Sequence, residues 1–231
     1  MEKTPLVQIT ADHIQIDLPE KDRLTLPRLH LPETFMQWQS EARLHMFDAL
    51  KSQGAEAMKR QPAHLPVLAT SNKGLFPVNL ATRGLGVLPR PEQLESLTHL
   101  FEETRRSTEG RPWPETLSQR VEVVQDFYSN PNNFDPRVLG GLEIFEGQTP
   151  QNLQRYPMAS LLFTGEAPRF PSYQFNGVVV FVEPENPAYR FLRAARELFA
   201  FDAFHIHQIR YPCGYLFHVV EVRDKTPYPG R

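Results

Sequence analysis

The sequence predicts an α+β protein in two parts. A mostly helical half with a small N-terminal β-hairpin spans residues 1–135, and a ferredoxin-like (split βαβ) antiparallel sheet with an extra C-terminal hairpin strand and a short tail spans 136–231. Three observations carry that expectation. Apolar residues recur at helical spacing over 33–50, 91–106 and 114–128, whereas they alternate near both ends of the chain. The run Asn130-Pro131-Asn132-Asn133-Phe134-Asp135-Pro136 breaks the chain sharply between two regimes. Beyond it the order strand, helix, strand, strand, helix, strand, plus one added strand, follows the split-βαβ pattern, whose first and third strands lie at the centre of the sheet.

Taken in order, Val7 and Ile9, then Ile14, Ile16 and Leu18, alternate around the polar Thr10-Ala11-Asp12, as a half-buried hairpin should. Leu24 to Leu31 is extended but interrupted by Pro27, which restricts it to an edge strand or arm. Phe35, Trp38 and Ala42 share one helical face that Met46 and Ala49 continue, with Pro32 just ahead of the start. Residues 61–90 show no sustained period and carry Pro62, Pro66, Pro77 and Pro89, so they read as a turn-rich connector. The lone Gly84-Leu85-Gly86 within them lacks the strand and helix context of a phosphate loop.

Leu94, Leu97 and Phe101 mark the buried side of one helix, and Leu117, Val121, Val124 and Tyr128 form an apolar stripe on the next. In the second half, strands are expected over 138–145, 159–164 and 175–182. The run Val178-Val179-Val180-Phe181-Val182 is apolar on both faces, as in a central strand. Thr149 with Pro150 opens a short helix, and Asn186 with Pro187 opens a longer one.

The totals bound the function. The chain has 231 residues, 40% hydrophobic and 23% charged, which suffices for a buried core in a soluble protein. Net charge is −2, and Lys and Arg are scattered, so the basic stripe of a nucleic-acid binder is missing. No run approaches the roughly 20 apolar residues that cross a bilayer. The N-terminus lacks the pattern of a secretory signal, and a single cysteine precludes an internal disulfide, so a cytoplasmic location is expected.

Chemistry concentrates in residues 201–223, FDAFHIHQIRYPCGYLFHVVEVR. The turn Tyr211-Pro212-Cys213-Gly214-Tyr215 reads as a three-residue hairpin loop that sets Tyr211 opposite Tyr215, His207 opposite Val219 and His205 opposite Glu221. His205, His207 and Glu221 then form a two-histidine, one-carboxylate set that would hold a divalent metal such as Fe, Mn or Zn. Tyr215 lies nearby as the candidate proton donor. His218 falls on the other face as a core histidine, and a one-residue change of register would bring it to the metal set. The aromatic face of Tyr211, Tyr215 and Phe217 is the expected contact for a protein partner or a second copy.

His205-Ile206-His207 resembles the His-hydrophobic-His pattern of the HUH endonucleases. That resemblance implies a metal-dependent DNA-nicking enzyme with a tyrosine nucleophile, here Tyr189 or Tyr128. An RNA-binding sheet is rejected, because valines of 178–180 stand where stacking aromatics are required. Cys213 reads as an incidental thiol, Glu143 and Glu146 as carboxylates on opposite faces of a strand and so not an acid–base pair, and Arg190, Arg193 and Arg196 as a solvated stripe. With no complete catalytic set, the leading expectation is a non-catalytic binding or assembly protein, with the metal-dependent enzyme as its competitor and the DNA-nicking enzyme third.

Overall fold

The computed structural model describes residues 6–18, 23–54, 57, 63–199 and 211–228. The α+β class holds: helices pack on antiparallel sheet. Strands β1 (Leu6–Ile9), β2 (His13–Asp17) and β3 (Leu24–Pro27) form a small three-stranded sheet, one strand more than the expected hairpin. β3 is its edge, as Pro27 requires.

The main sheet has seven strands: β4 (Val67–Ser71), β5 (Val78–Thr82), β6 (Gly86–Pro89), β7 (Phe134–Leu142), β8 (Met158–Thr164), β9 (Ser172–Val182) and β10 (Gly214–Asp224). Their order is β5-β4-β8-β9-β10-β7-β6, and every neighbour is antiparallel. The valine-rich β9 is the middle strand, as its two apolar faces predict.

Two expectations about this sheet are corrected. In the split-βαβ arrangement β7 and β9 would be central neighbours, but β10 lies between them. The connector at 61–90 supplies three strands, so residues on both sides of position 135 build one sheet. These strands are four or five residues long, and Pro66, Pro77 and Pro89 stand at their ends. Prolines that suggested a turn-rich connector are strand punctuation. What makes the segment a sheet is pairing to partners far away in the sequence, such as Leu68 to Leu161 and Val87 to Leu139.

The helices are α1 (Glu33–Gln53), α2 (Pro91–Ser107), α3 (Trp113–Tyr128), α4 (Gln148–Arg155) and α5 (Pro187–Glu197). Asn186 caps α5 by accepting the Ala188 N–H at 2.9 Å, with Pro187 at the first helical position. On α1, Phe35 docks edge-on against Phe163, Tyr173 and Phe175 of the sheet, with ring centroids 4.8–5.3 Å apart. The α3 stripe Leu117, Val121, Val124 and Tyr128 is buried throughout. Helices α2 and α5 are joined by ion pairs: Arg190 holds Glu102 at 2.6 Å and Arg105 holds Glu197 at 2.6 Å. The arginines of α5 are therefore not simply a solvated stripe.

One face of β10 places Tyr215, Phe217 and Val219 in the main core, and the other turns Val220 toward the small sheet. There Ile14, Ile16 and Leu18 pack with Val178 as a second core. Among the described residues, no helix is long and apolar enough to cross a membrane.

Candidate functional site

The hairpin that organised the sequence reading is not the pairing β10 makes. From Gly214 to His218 one edge of β10 pairs with Leu142–Val138 and the other with Val182–Val178. Just beyond, the Leu29 N–H donates to the Val219 carbonyl at 2.8 Å. Both sides are occupied, so Tyr215 faces Gly141 and Phe181 rather than Tyr211. The Pro-Cys-Gly turn chemistry was local, whereas strand partners are chosen by long-range burial. His205 and His207 lie outside the described residues.

Glu221 sits on a β-bulge: Val219 pairs with Gly177, Glu221 with Asn176, and Val220 is the extra residue. The bulge reverses the alternation, so Glu221 shares the face of His218 and not that of Tyr215 and Phe217. Its carboxylate accepts from Arg223 at 2.8 Å and from the Asn176 side chain. Those two hydrogen bonds hold its pKa below the usual carboxylate range, Arg223 contributing most. Among the described residues, no three His, Cys, Asp or Glu side chains converge as metal ligands do.

His218 is 5% exposed and lies between Val138 and Val178. Its Nδ1 has no hydrogen-bond partner among the described residues. Burial, then the nearby Arg28, pushes its pKa down to about 4. This is the core histidine the sequence predicted.

The expected partner face is corrected as well. Tyr215 is 1% exposed, and Phe217 and Tyr211 are also buried within the chain. Tyr211 packs with Leu142, Val182 and Tyr189, while its hydroxyl accepts from Arg196 Nε at 2.9 Å. The Tyr215 hydroxyl is shielded and unpartnered among the described residues, and burial raises its pKa, followed by Glu143. It therefore makes a poor proton donor. Tyr189 and Tyr128, the candidate nucleophiles, are both buried in the core.

Beside Tyr215 lies an ion pair with a buried carboxylate that the sequence reading did not find. Glu143, just past the end of β7, accepts from Arg83 at 3.2 Å and from the Ile144 and Phe145 N–H groups at 3.0 and 3.2 Å. The Gly84 carbonyl next to Arg83 packs so closely over Gly141 that a Cβ there would overlap it. Arg83 and Glu143 are 60 residues apart, so spacing carried no signal for the pair. Cys213 lies close by, and burial, then Glu143, raises its thiol to about 11. A raised pKa disfavours the thiolate there.

The feature with a surface consequence is the sheet's open edge. The two ends of the seven-stranded sheet differ. β6 is short, largely buried, ends in Pro89 and is packed by α2. β5 is also short, follows Pro77 and meets α4, but Val78, Leu80 and Thr82 alternate on an exposed face, and the strand VNLAT carries no charge. Leu80 is 65% exposed.

The preceding loop adds to the patch. Asn72 orders it, its N–H donating to the Pro77 carbonyl at 2.8 Å and its Oδ1 accepting from Gly74 at 3.2 Å. Leu75 and Phe76 are left 91% and 75% exposed. The signal was present in the sequence as Val78-Asn79-Leu80-Ala81-Thr82, but five residues bounded by Pro77 were too short to stand out.

No family model and no curated protein matches the chain. Among solved structures, it is similar to two crystal structures of HupZ from Group A Streptococcus, one of them a histidine-to-alanine variant. Each is 13% identical, with TM-scores of 0.38 and 0.37; 70% of this chain is covered in both, and 85% and 89% of those chains. At those values the likeness carries no functional argument.

Proposed function

We propose that this chain is a non-catalytic assembly protein of the cytoplasm that associates with a second copy of itself along β5. The observation that supports this reading is an uncharged edge strand whose outward side chains Val78, Leu80 and Thr82 are exposed beside the exposed Leu75 and Phe76. Exposed edges of this kind pair with further strands unless charge, proline or a covering element prevents it.

A second copy suits β5 because the strand is nearly self-complementary. Antiparallel pairing about a two-fold axis at Leu80 sets Leu80 beside its own copy and Val78 beside Thr82. The ordered loop would then bring Phe76 and Leu75 of each copy to the rim of the same interface. Main-chain hydrogen bonds supply direction, and removal of the apolar patch from water supplies the driving force. The single thiol, partly buried and with a raised pKa, suits a reducing compartment.

Sedimentation velocity over a range of concentrations tests the reading. The wild-type chain should sediment as a dimer that dissociates on dilution, whereas Leu80→Lys, which places like charges side by side at the axis, should remain monomeric with an unchanged circular dichroism spectrum. A wild-type chain that stays monomeric at high concentration sinks the proposal.

A further inference from the structure

A cavity of about 350 Å3 lies between α1, α3, α5 and the β6–β7 end of the sheet. That size is at the lower end of the range for small-molecule sites. Its walls include the rings of Phe47, Phe127, Tyr128 and Phe191, and backbone at Gly84, Gly140 and Gly141 contributes to it. Close backbone approach is possible there because these positions lack side chains; a Cβ on Gly140 would press on Leu88 and one on Gly141 on Gly84.

The polar groups in this apolar wall are biased in charge. Arg43, Arg83 and Arg196 line it, and among the described residues no Asp or Glu does. Arg83 is offset by Glu143, which lies behind the wall. Arg43 has no such carboxylate among its described contacts. Its Nη1 lies 2.7 Å from His64 Nδ1, and its guanidinium stacks over the Phe47 and Tyr128 rings with its carbon 5.2 and 5.1 Å from their centroids. Its Nε is shielded from solvent and has no acceptor among the described residues. A guanidinium is charged at every physiological pH, so this wall presents a fixed cation whose donors are incompletely used.

We propose that the cavity binds a small organic anion, with a flat apolar body against the aromatic wall and an anionic head, a carboxylate or phosphate, at Arg43. The aromatic side chains supply burial, and the planar, pre-oriented guanidinium supplies the directional contact that such heads accept. The cavity lining reaches Thr82 at the end of β5 but excludes Val78 and Leu80, so Arg43 would carry a ligand whether or not the chain self-associates.

Isothermal titration of the full chain tests it with three probes: naphthalene carboxylate, naphthyl phosphate and neutral naphthylmethanol. One or both anions should bind, the tighter of the two identifying the head, with the alcohol weaker by about tenfold or more. Arg43→Met, which keeps the packing but removes the charge, and Ala195→Phe, which fills the cavity, should each weaken the anion by at least about tenfold. Melting curves of both variants report whether they fold, and either folded variant decides. The proposal is overturned if no anion binds, if the alcohol binds as tightly as the anions, or if binding survives substitution in a folded variant. Repeating the titration with Leu80→Lys separates this outcome from that of the assembly reading.

Discussion

His218 gives the chain a pH-dependent stability that can be worked out from its surroundings. The imidazole is held between Val138 and Val178, with Arg28 beside it and Asp135 and Arg137 on the neighbouring β7. Burial and the two arginines disfavour its charged form more than Asp135 favours it, so its pKa falls from 6.5 to about 4. Because the folded value is the lower one, the unfolded chain takes up the proton first as pH drops. Stability from this residue is complete above about pH 7, falls through the window from 6.5 toward 4, and levels off below it. The full loss is about 3 kcal/mol, of which about 2 kcal/mol is gone by pH 5.

Urea unfolding at a series of pH values between 8 and 5 measures this effect directly when wild type is compared with His218→Leu. The leucine keeps an apolar side chain in the core and cannot titrate. The variant's curve should be flatter by about 2 kcal/mol across that interval. It should lose little stability at pH 8, where the native imidazole is neutral and leaves Nδ1 without a described partner. Asp17, Glu102 and Glu221 also have lowered values, but their contributions are lost only in the carboxylate range below this window. Parallel pH curves for the two proteins would refute the reasoning.

The pair of Arg83 and Glu143 should behave as a unit: Arg83→Met leaves a buried carboxylate with only its two backbone N–H partners and should cost up to about 3 kcal/mol by chemical denaturation, and adding Glu143→Gln should restore much of it. A double-variant loss equal to the sum of the Arg83→Met and Glu143→Gln losses would show that the two do not interact. Cys213, with its thiol raised to about 11, should react with a disulfide reagent at pH 8 on the order of a hundredfold more slowly in native than in unfolded protein. Rapid native labelling would contradict the raised pKa of that thiol.

Much of the architecture was legible because its signals are local. The stripe Leu117, Val121, Val124 and Tyr128 follows helix geometry, and Asn186-Pro187 is a helix start in any context. The valine run of β9 could only be a strand covered on both faces. The candidate site was much less legible. The Pro-Cys-Gly turn was a sound local observation, but β10 is already paired on both sides by β7 and β9. The bulge at Val220 then separated Glu221 from the face to which alternation had assigned it.

By itself, then, the sequence determined the α+β class, the main helices with their buried sides, the central place of β9 and the core character of His218. Each depends on residues within about one helical turn or along one strand. Only the tertiary structure decided the strand order, the use of residues 67–89 as three strands, the meeting of Arg83 with Glu143, and which sheet edge remained open. Those outcomes depend on contacts between distant residues, where the burial of whole faces outweighs the preference of any short segment.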